Sequence, residues 1–138
     1  MNKIIFDATI LKYMSLFFGI THVQPRDCIN DESGAVFIVP AGETGKAVGS
    51  GGTHIRKVEK IINKKVRVVA YDDNLVGFIE NLMYPARIKE IREEDHVVSV
   101  TALDNESRGH IIGRNATNLR RLEAIAKRYF PLQEIKVK

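Results

Sequence analysis

The sequence predicts an α+β protein built from two tandem copies of one small unit. Each copy has the order helix–strand–strand–short helix–glycine loop–helix–strand. Three observations carry this reading. The chain has 138 residues, enough for two thin cores of about 65–70 residues each. Runs with β and helical periodicity recur in the same order on both sides of Tyr71-Asp72-Asp73-Asn74. An offset of 64 residues also brings like onto like: Gly45 onto Gly109, Val48 onto Ile112, Gly49 onto Gly113 and Thr53 onto Thr117. The same offset matches Ile55 with Leu119, Arg56 with Arg120, Val58 with Leu122, Glu59 with Glu123 and Ile61 with Ile125. Unrelated segments seldom share a glycine, a cap, an arginine and an apolar face in register. The two domains are expected at 1–72 and 73–138.

The first unit opens with an apolar stretch from Ile4 to Ile20. Asp7 and Lys12 interrupt it and no small-x-small cleavage site follows, so neither a signal peptide nor a membrane span is expected. An amphipathic helix is: Asp7 caps it, Ile10, Met14 and Phe17 share a face, and Gly19 stops it. Tyr13, Phe17 and Phe18 are assigned to the core. Val23 to Ile29 and Ala35 to Val39 flank the polar turn Asn30-Asp31-Glu32-Ser33-Gly34 and read as a hairpin. Pro25 puts the first of these strands at an edge or delays its start. Residues 41 to 52 hold five of the chain's ten glycines. Thr53 to Asn63 is helical, and Val66 to Ala70 is a strand.

The second unit repeats the order. Leu75 to Met83 is helical, with Leu75, Phe78, Ile79 and Leu82 on one face. Arg87 to Ile91 and His96 to Ala102 are strands around a turn at Arg92 to Asp95. Ser107 to Ile112 is a short helix and Thr117 to Tyr129 a longer one that Pro131 breaks. Glu134 to Val137 closes the unit as a strand.

Composition narrows the function. Apolar residues make up 44% and charged residues 28% of the chain, as in a globular protein. The net charge of +4 is mild, but its placement is informative. Lys46 to Arg67 holds seven Lys/Arg against the single acid Glu59, and Arg108 to Arg128 holds six against the single acid Glu123. The lone Cys28 allows no intrachain disulfide and no Cys-rich zinc site, which fits a reducing cytoplasm; it reads as a small core residue. His22, His54, His96 and His110 lack metal-ligand spacing with one another. No catalytic constellation is visible, and no cofactor, metal or small-molecule substrate is expected. Gly42-Glu43-Thr44-Gly45-Lys46 fails as a nucleotide loop. It has no glycine five residues before Gly45, and Ala47 stands where Ser or Thr would hold magnesium.

Each unit instead centres on an apolar pair, a tight loop and a helix. The first reads Ala47-Val48, Gly49-Ser50-Gly51-Gly52, Thr53-His54-Ile55. The second reads Ile111-Ile112, Gly113-Arg114-Asn115-Ala116, Thr117-Asn118-Leu119. This pattern resembles the KH domain, with its G-x-x-G loop. Glycine lets the chain reverse sharply and lets a ligand backbone approach. The following helix starts with free N–H groups and a positive dipole end, which suits a phosphate. Nearby Lys and Arg add attraction to phosphates that is independent of sequence, and the aliphatic residues beside the loop wall a groove for unstacked bases. KH loops clamp about four nucleotides by their backbone. A lone G-x-x-G is more often a helix–helix turn; its recurrence in the same order of elements, each time beside a basic cluster, favours RNA or single-stranded DNA.

The expected RNA-binding residues in the first unit are Lys46, Val48, Gly49, Ser50, Gly51, Gly52, Thr53, His54, Arg56 and Lys57. In the second they are His110, Ile112, Gly113, Arg114, Asn115, Ala116, Thr117, Asn118, Arg120 and Arg121. Ala116 stands where the second glycine of the pattern belongs, and Ser50 where a basic residue would help. The first loop is therefore the better one by shape and the second by charge.

Longer stretches are similar to the short archaeal NusA-like transcription termination/antitermination proteins, over nearly the whole chain. They are Tyr13-Met14-Ser15-Leu16-Phe17, Arg26-Asp27-Cys28-Ile29, Gly45 to Gly52, Lys65 to Tyr71, Phe78 to Leu82, Pro85-Ala86-Arg87 and Ile111 to Asn115. The resemblance implies two type II, prokaryotic KH domains, each a three-stranded mixed sheet with three helices packed on one face. It also implies binding of single-stranded RNA in transcription elongation, termination or antitermination, with RNA polymerase or its complex as a candidate partner. A ribosome-associated KH protein acting on rRNA is the alternative. A nucleic-acid-processing enzyme is the third reading.

Overall fold

The computed structural model describes residues 6–138. They fall into two compact units, one ending at Asp72 and one formed by Asp73–Lys138. Among them are six α-helices and six strands: α1 (Ala8–Thr21), β1 (Asp27–Asp31), β2 (Gly34–Val39), α2 (Thr44–Val48), α3 (Thr53–Ile62) and β3 (Val66–Ala70) in the first unit, and α4 (Leu75–Met83), β4 (Ile88–Glu94), β5 (Val97–Ala102), α5 (Asn105–Ile112), α6 (Thr117–Lys127) and β6 (Glu134–Val137) in the second. One 3-10 turn precedes α3 (Ser50–Gly52) and another precedes α6 (Arg114–Ala116). The fold is α+β with two three-stranded sheets, in the orders β1-β2-β3 and β4-β5-β6. Both are mixed: the hairpin pair is antiparallel and the last strand joins parallel to the second.

The first core follows from periodicity. Alternate residues of a strand share a face, and Ala35, Phe37 and Val39 of β2 pack with Cys28 of β1 beneath Met14 and Phe17 of α1, Ala47 of α2 and Val58 of α3. The Phe17 and Phe37 rings stack with centroids 4.3 Å apart. Asp7 caps α1 as the sequence predicts, its carboxylate accepting the Ile10 N–H at 2.8 Å. The helix does not stop at Gly19. It runs on to Thr21 and ends at His22, which takes the left-handed conformation and donates its N–H to Phe18 O. Phe18, assigned to the core from its apolarity, is 45% exposed. The part of the predicted helical stretch at Ile4 and Ile5 lies outside the described residues.

Pro25 acts as expected: β1 begins at Asp27 and is an edge strand. In the second unit the β4–β5 hairpin is longer than predicted. Arg92, Glu93 and Glu94 are strand, and the turn is Asp95-His96, both with positive φ (51° and 65°). Charge on an exposed edge strand reads as loop, yet charge there keeps other strands from pairing. α5 starts at Asn105, capped by Asp104, and α6 ends at Lys127, ahead of Pro131. Leu75, Phe78, Ile79 and Leu82 are all buried, as predicted, and Phe78 meets Tyr129 edge-on at 5.4 Å.

Candidate nucleic-acid interface

Each candidate loop begins where a short helix ends on glycine. Gly49 (φ 80°, ψ 164°) closes α2, and Gly113 (φ 72°, ψ 178°) closes α5. This corner of backbone space belongs almost solely to glycine. Its neighbours exclude a side chain as well. A Cβ on Gly49 would lie 2.8 Å from the His54 ring and 2.9 Å from the His54 nitrogen; one on Gly113 would lie 2.7 Å from Asn118 Cβ. The first glycine of each loop therefore serves the chain's own packing before it serves any ligand.

The loop then takes two left-handed residues in succession: Gly51 (φ 64°) and Gly52 (φ 80°) in the first unit, Asn115 (φ 55°) and Ala116 (φ 60°) in the second. Asn tolerates this region and Ala pays about 1–2 kcal/mol to enter it. The two loops thus share one backbone despite unlike sequences. Open space surrounds a Cβ at Gly51, with nothing within 4 Å.

The helices that follow have no side-chain cap. Their N-cap residues, Gly52 and Ala116, offer none, whereas α1, α4 and α5 are capped by Asp7, Asn74 and Asp104. An uncapped helix start with no acid in its first turn is positive and favours an anion. Around the first start, Lys46, Ser50, Gly51, Thr53, Arg56 and Lys57 are exposed, and Val48, Gly49, Gly52 and His54 are half-buried. Around the second, His110, Arg114, Asn115, Thr117 and Arg120 are exposed, and Ile112, Gly113, Ala116, Asn118 and Arg121 are half-buried.

Three positions carry a structural role that the sequence reading did not assign. His54 and Asn118 match across the two units. The His54 Nδ1 lies 3.0 Å from Lys46 O, and Asn118 Nδ2 donates to His110 O and Ile111 O at 3.0 Å each. Both side chains tie the long helix to the last turn of the short one. His110 is instead the counterpart of Lys46. Glu59 and Glu123 also match: their Oε2 atoms accept the N–H of Val66 at 2.9 Å and of Ile135 at 2.8 Å, anchoring helix to strand. Arg56 donates from Nη1 to the Gly51 carbonyl at 2.6 Å.

The basic clusters, continuous in sequence, divide in space. α3 has ten residues, or about 15 Å at 1.5 Å per residue, so Lys64 and Lys65 lie at the end away from the loop. Lys64 donates to Asn30 Oδ1 at 2.6 Å. Lys127, at the far end of α6, lies 3.7 Å from Glu123. Among the described residues no group of three His, Cys, Asp or Glu could hold a metal, and no helix is long and apolar enough to cross a membrane.

Fold and site together define a class: α+β proteins of two like units, each presenting a positively polarised loop–helix corner. Comparison narrows it further. The chain is 30% identical over 126 residues to the probable transcription termination protein NusA of Halobacterium salinarum, covering 90% of this chain and 91% of that protein. It is 28% identical over 137 residues to the protein of that name from Halococcus morrhuae, with 98% and 99% covered. It is 29% identical over 140 aligned positions to that of Methanocaldococcus jannaschii, with 99% and 76% covered. The solved structure of APE1850 superposes with a TM-score of 0.78 at 27% identity, over 96% of this chain and all of that one. No protein-family model matches the chain. The chain belongs to the archaeal NusA family.

Proposed function

We propose that the protein binds single-stranded RNA through two type II KH domains, 1–72 and 73–138, and acts in transcription termination or antitermination without enzymatic activity of its own. The observation that carries the reading is the recurrence of one device: two consecutive left-handed residues delivering an uncapped, basic helix start in each unit. A phosphate backbone is the ligand that such a corner accommodates. Lys46 and Lys57 in the first unit, and Arg114 and Arg121 in the second, supply charge; Val48 and Ile112 supply the apolar wall beside unstacked bases. The names of the relatives favour transcription over the ribosome-associated alternative, and RNA polymerase or its complex is the candidate partner.

Fluorescence anisotropy with a short single-stranded RNA tests this. Affinity is expected to fall with salt, with a log–log slope of about −0.7 per phosphate contacted, and to exceed affinity for duplex RNA. Gly51→Asp puts a negative charge where a phosphate would sit, and a loss of roughly tenfold is expected. The variant should fold, since the matching Asn115 already holds a polar side chain at φ 55°. Equal binding of duplex, or unchanged affinity in Gly51→Asp, would overturn the reading.

A further inference from the structure

The two loops share a backbone but not an arginine. Arg56 and Arg120 stand at matching positions, one turn into α3 and α6. Arg56 folds back over its loop and donates to the Gly51 carbonyl at 2.6 Å. Arg120 turns along its helix and pairs with Glu123 Oε2 at 3.0 Å. The same carboxylate position is present in both units, because Glu59 matches Glu123 and each receives a strand N–H. The partner on offer therefore does not explain the difference.

The residue that closes the loop differs. A Cβ at Gly52 would stand 3.1 Å from Arg56 Nη1, so the guanidinium would have to give by a few tenths of an ångström, and its 2.6 Å bond to Gly51 O leaves it little slack. At the matching position Ala116 carries that Cβ. The neighbouring difference, Gly51 against Asn115, brings no such contact at its Cβ, which at Gly51 meets nothing within 4 Å.

We propose that Gly52 or Ala116 decides whether the following arginine braces the loop, and that Arg56 is the positioning residue of the first loop. The inference rests on the RNA-binding reading above. A bare carbonyl oxygen at an anion site repels phosphate, and the guanidinium over Gly51 O cancels that repulsion. The brace also holds the loop in its binding shape, so less freedom is lost when RNA arrives. The second loop has no such brace and takes its cation from Arg114 within the loop.

Double-mutant cycles on the full chain, with a short single-stranded RNA as probe, test this. Gly52→Ala and Arg56→Gln are each expected to weaken binding roughly tenfold, the scale of one charge-assisted contact, and the double variant to be no worse than either. Ala116 shows that the backbone accepts alanine there, and melting curves confirm that each variant folds. Ala116→Gly should tighten binding, and Arg120→Gln should cancel the gain. Because Arg56 acts through the loop, Arg56→Gln should leave the salt slope unchanged, whereas Arg114→Gln should reduce it by about 0.7. Additive losses, or an equal fall in slope for Arg56→Gln, overturn the proposal. If the wild-type chain binds no RNA, the RNA reading fails by itself. Amide exchange at Gly52 and Thr53 through the same cycle then decides the brace: coupled effects support it and additive effects overturn it.

Discussion

The carboxylate of Glu123 accepts the backbone N–H of Ile135 at 2.8 Å and so joins α6 to the strand that completes the second sheet. Glu123 is 8% exposed, and Arg120 and Lys127 flank it at 3.0 Å and 3.7 Å. Removing the carboxylate leaves a buried amide without its acceptor, which costs about 1–3 kcal/mol. Glu123→Ala should lower the unfolding free energy by that amount in urea titration, and Glu123→Gln, which keeps an acceptor, by less. Wild-type stability in Glu123→Ala would show that the bond contributes nothing net.

The glycines of the two loops are expected to separate into two kinds. Gly49→Ala and Gly113→Ala force a Cβ to within 3 Å of the next helix, in a conformation that costs an ordinary residue of order 1–3 kcal/mol before any clash. Thermal melting should register both as strongly destabilised. Gly51→Ala meets only the left-handed penalty and should cost about 1–2 kcal/mol. Equal losses at positions 49 and 51 would contradict the packing argument.

His54 and Asn118 do one task with different chemistry. His54→Asn should therefore preserve the tie to the Lys46 carbonyl and hold stability within about 0.5 kcal/mol, whereas His54→Leu should lose about 1 kcal/mol. Chemical denaturation of the pair checks this, and a stability loss as large in His54→Asn as in His54→Leu would argue against the equivalence.

Asp104 caps α5. Hydrogen bonds from the Ser107 backbone and hydroxyl hold its carboxyl below the usual 3.8, with Arg87 adding to the effect. A carboxyl with a depressed folded pKa contributes stability that is complete above its unfolded value and is lost as pH falls through the folded one. The stability gap between wild type and Asp104→Asn should therefore be constant near neutral pH and close as pH falls below 3.8. A gap that stays constant into strong acid would rule out the ionised cap.

Much of this architecture could be read along the chain because it rests on local physics. Period-2 and helical runs placed β3, α4 and β6 as they stand, and Asp7 declared a helix start. Edges were harder. Gly19 looked like a stop, but the apolar face of α1 continues through Thr21, whose hydroxyl bonds Phe17 O at 2.8 Å. Arg92 to Glu94 looked like a turn because their side chains face water, and strand pairing depends on backbone groups that side-chain polarity does not report.

The loops draw the same line. Residue order alone reveals that they exist, that they recur with an offset of 64 residues, and that one has two glycines where the other has Asn115 and Ala116. The folded chain adds that the two backbones are alike and that Gly49 and Gly113 are kept free of side chains by their own helices. It also shows Arg56 bonded to its loop while Arg120 turns away. The acceptor for Arg56 is a backbone carbonyl, present at every residue and so invisible in the sequence, and the Cβ that Ala116 carries and Gly52 lacks would stand 3.1 Å from the bracing guanidinium of the first loop.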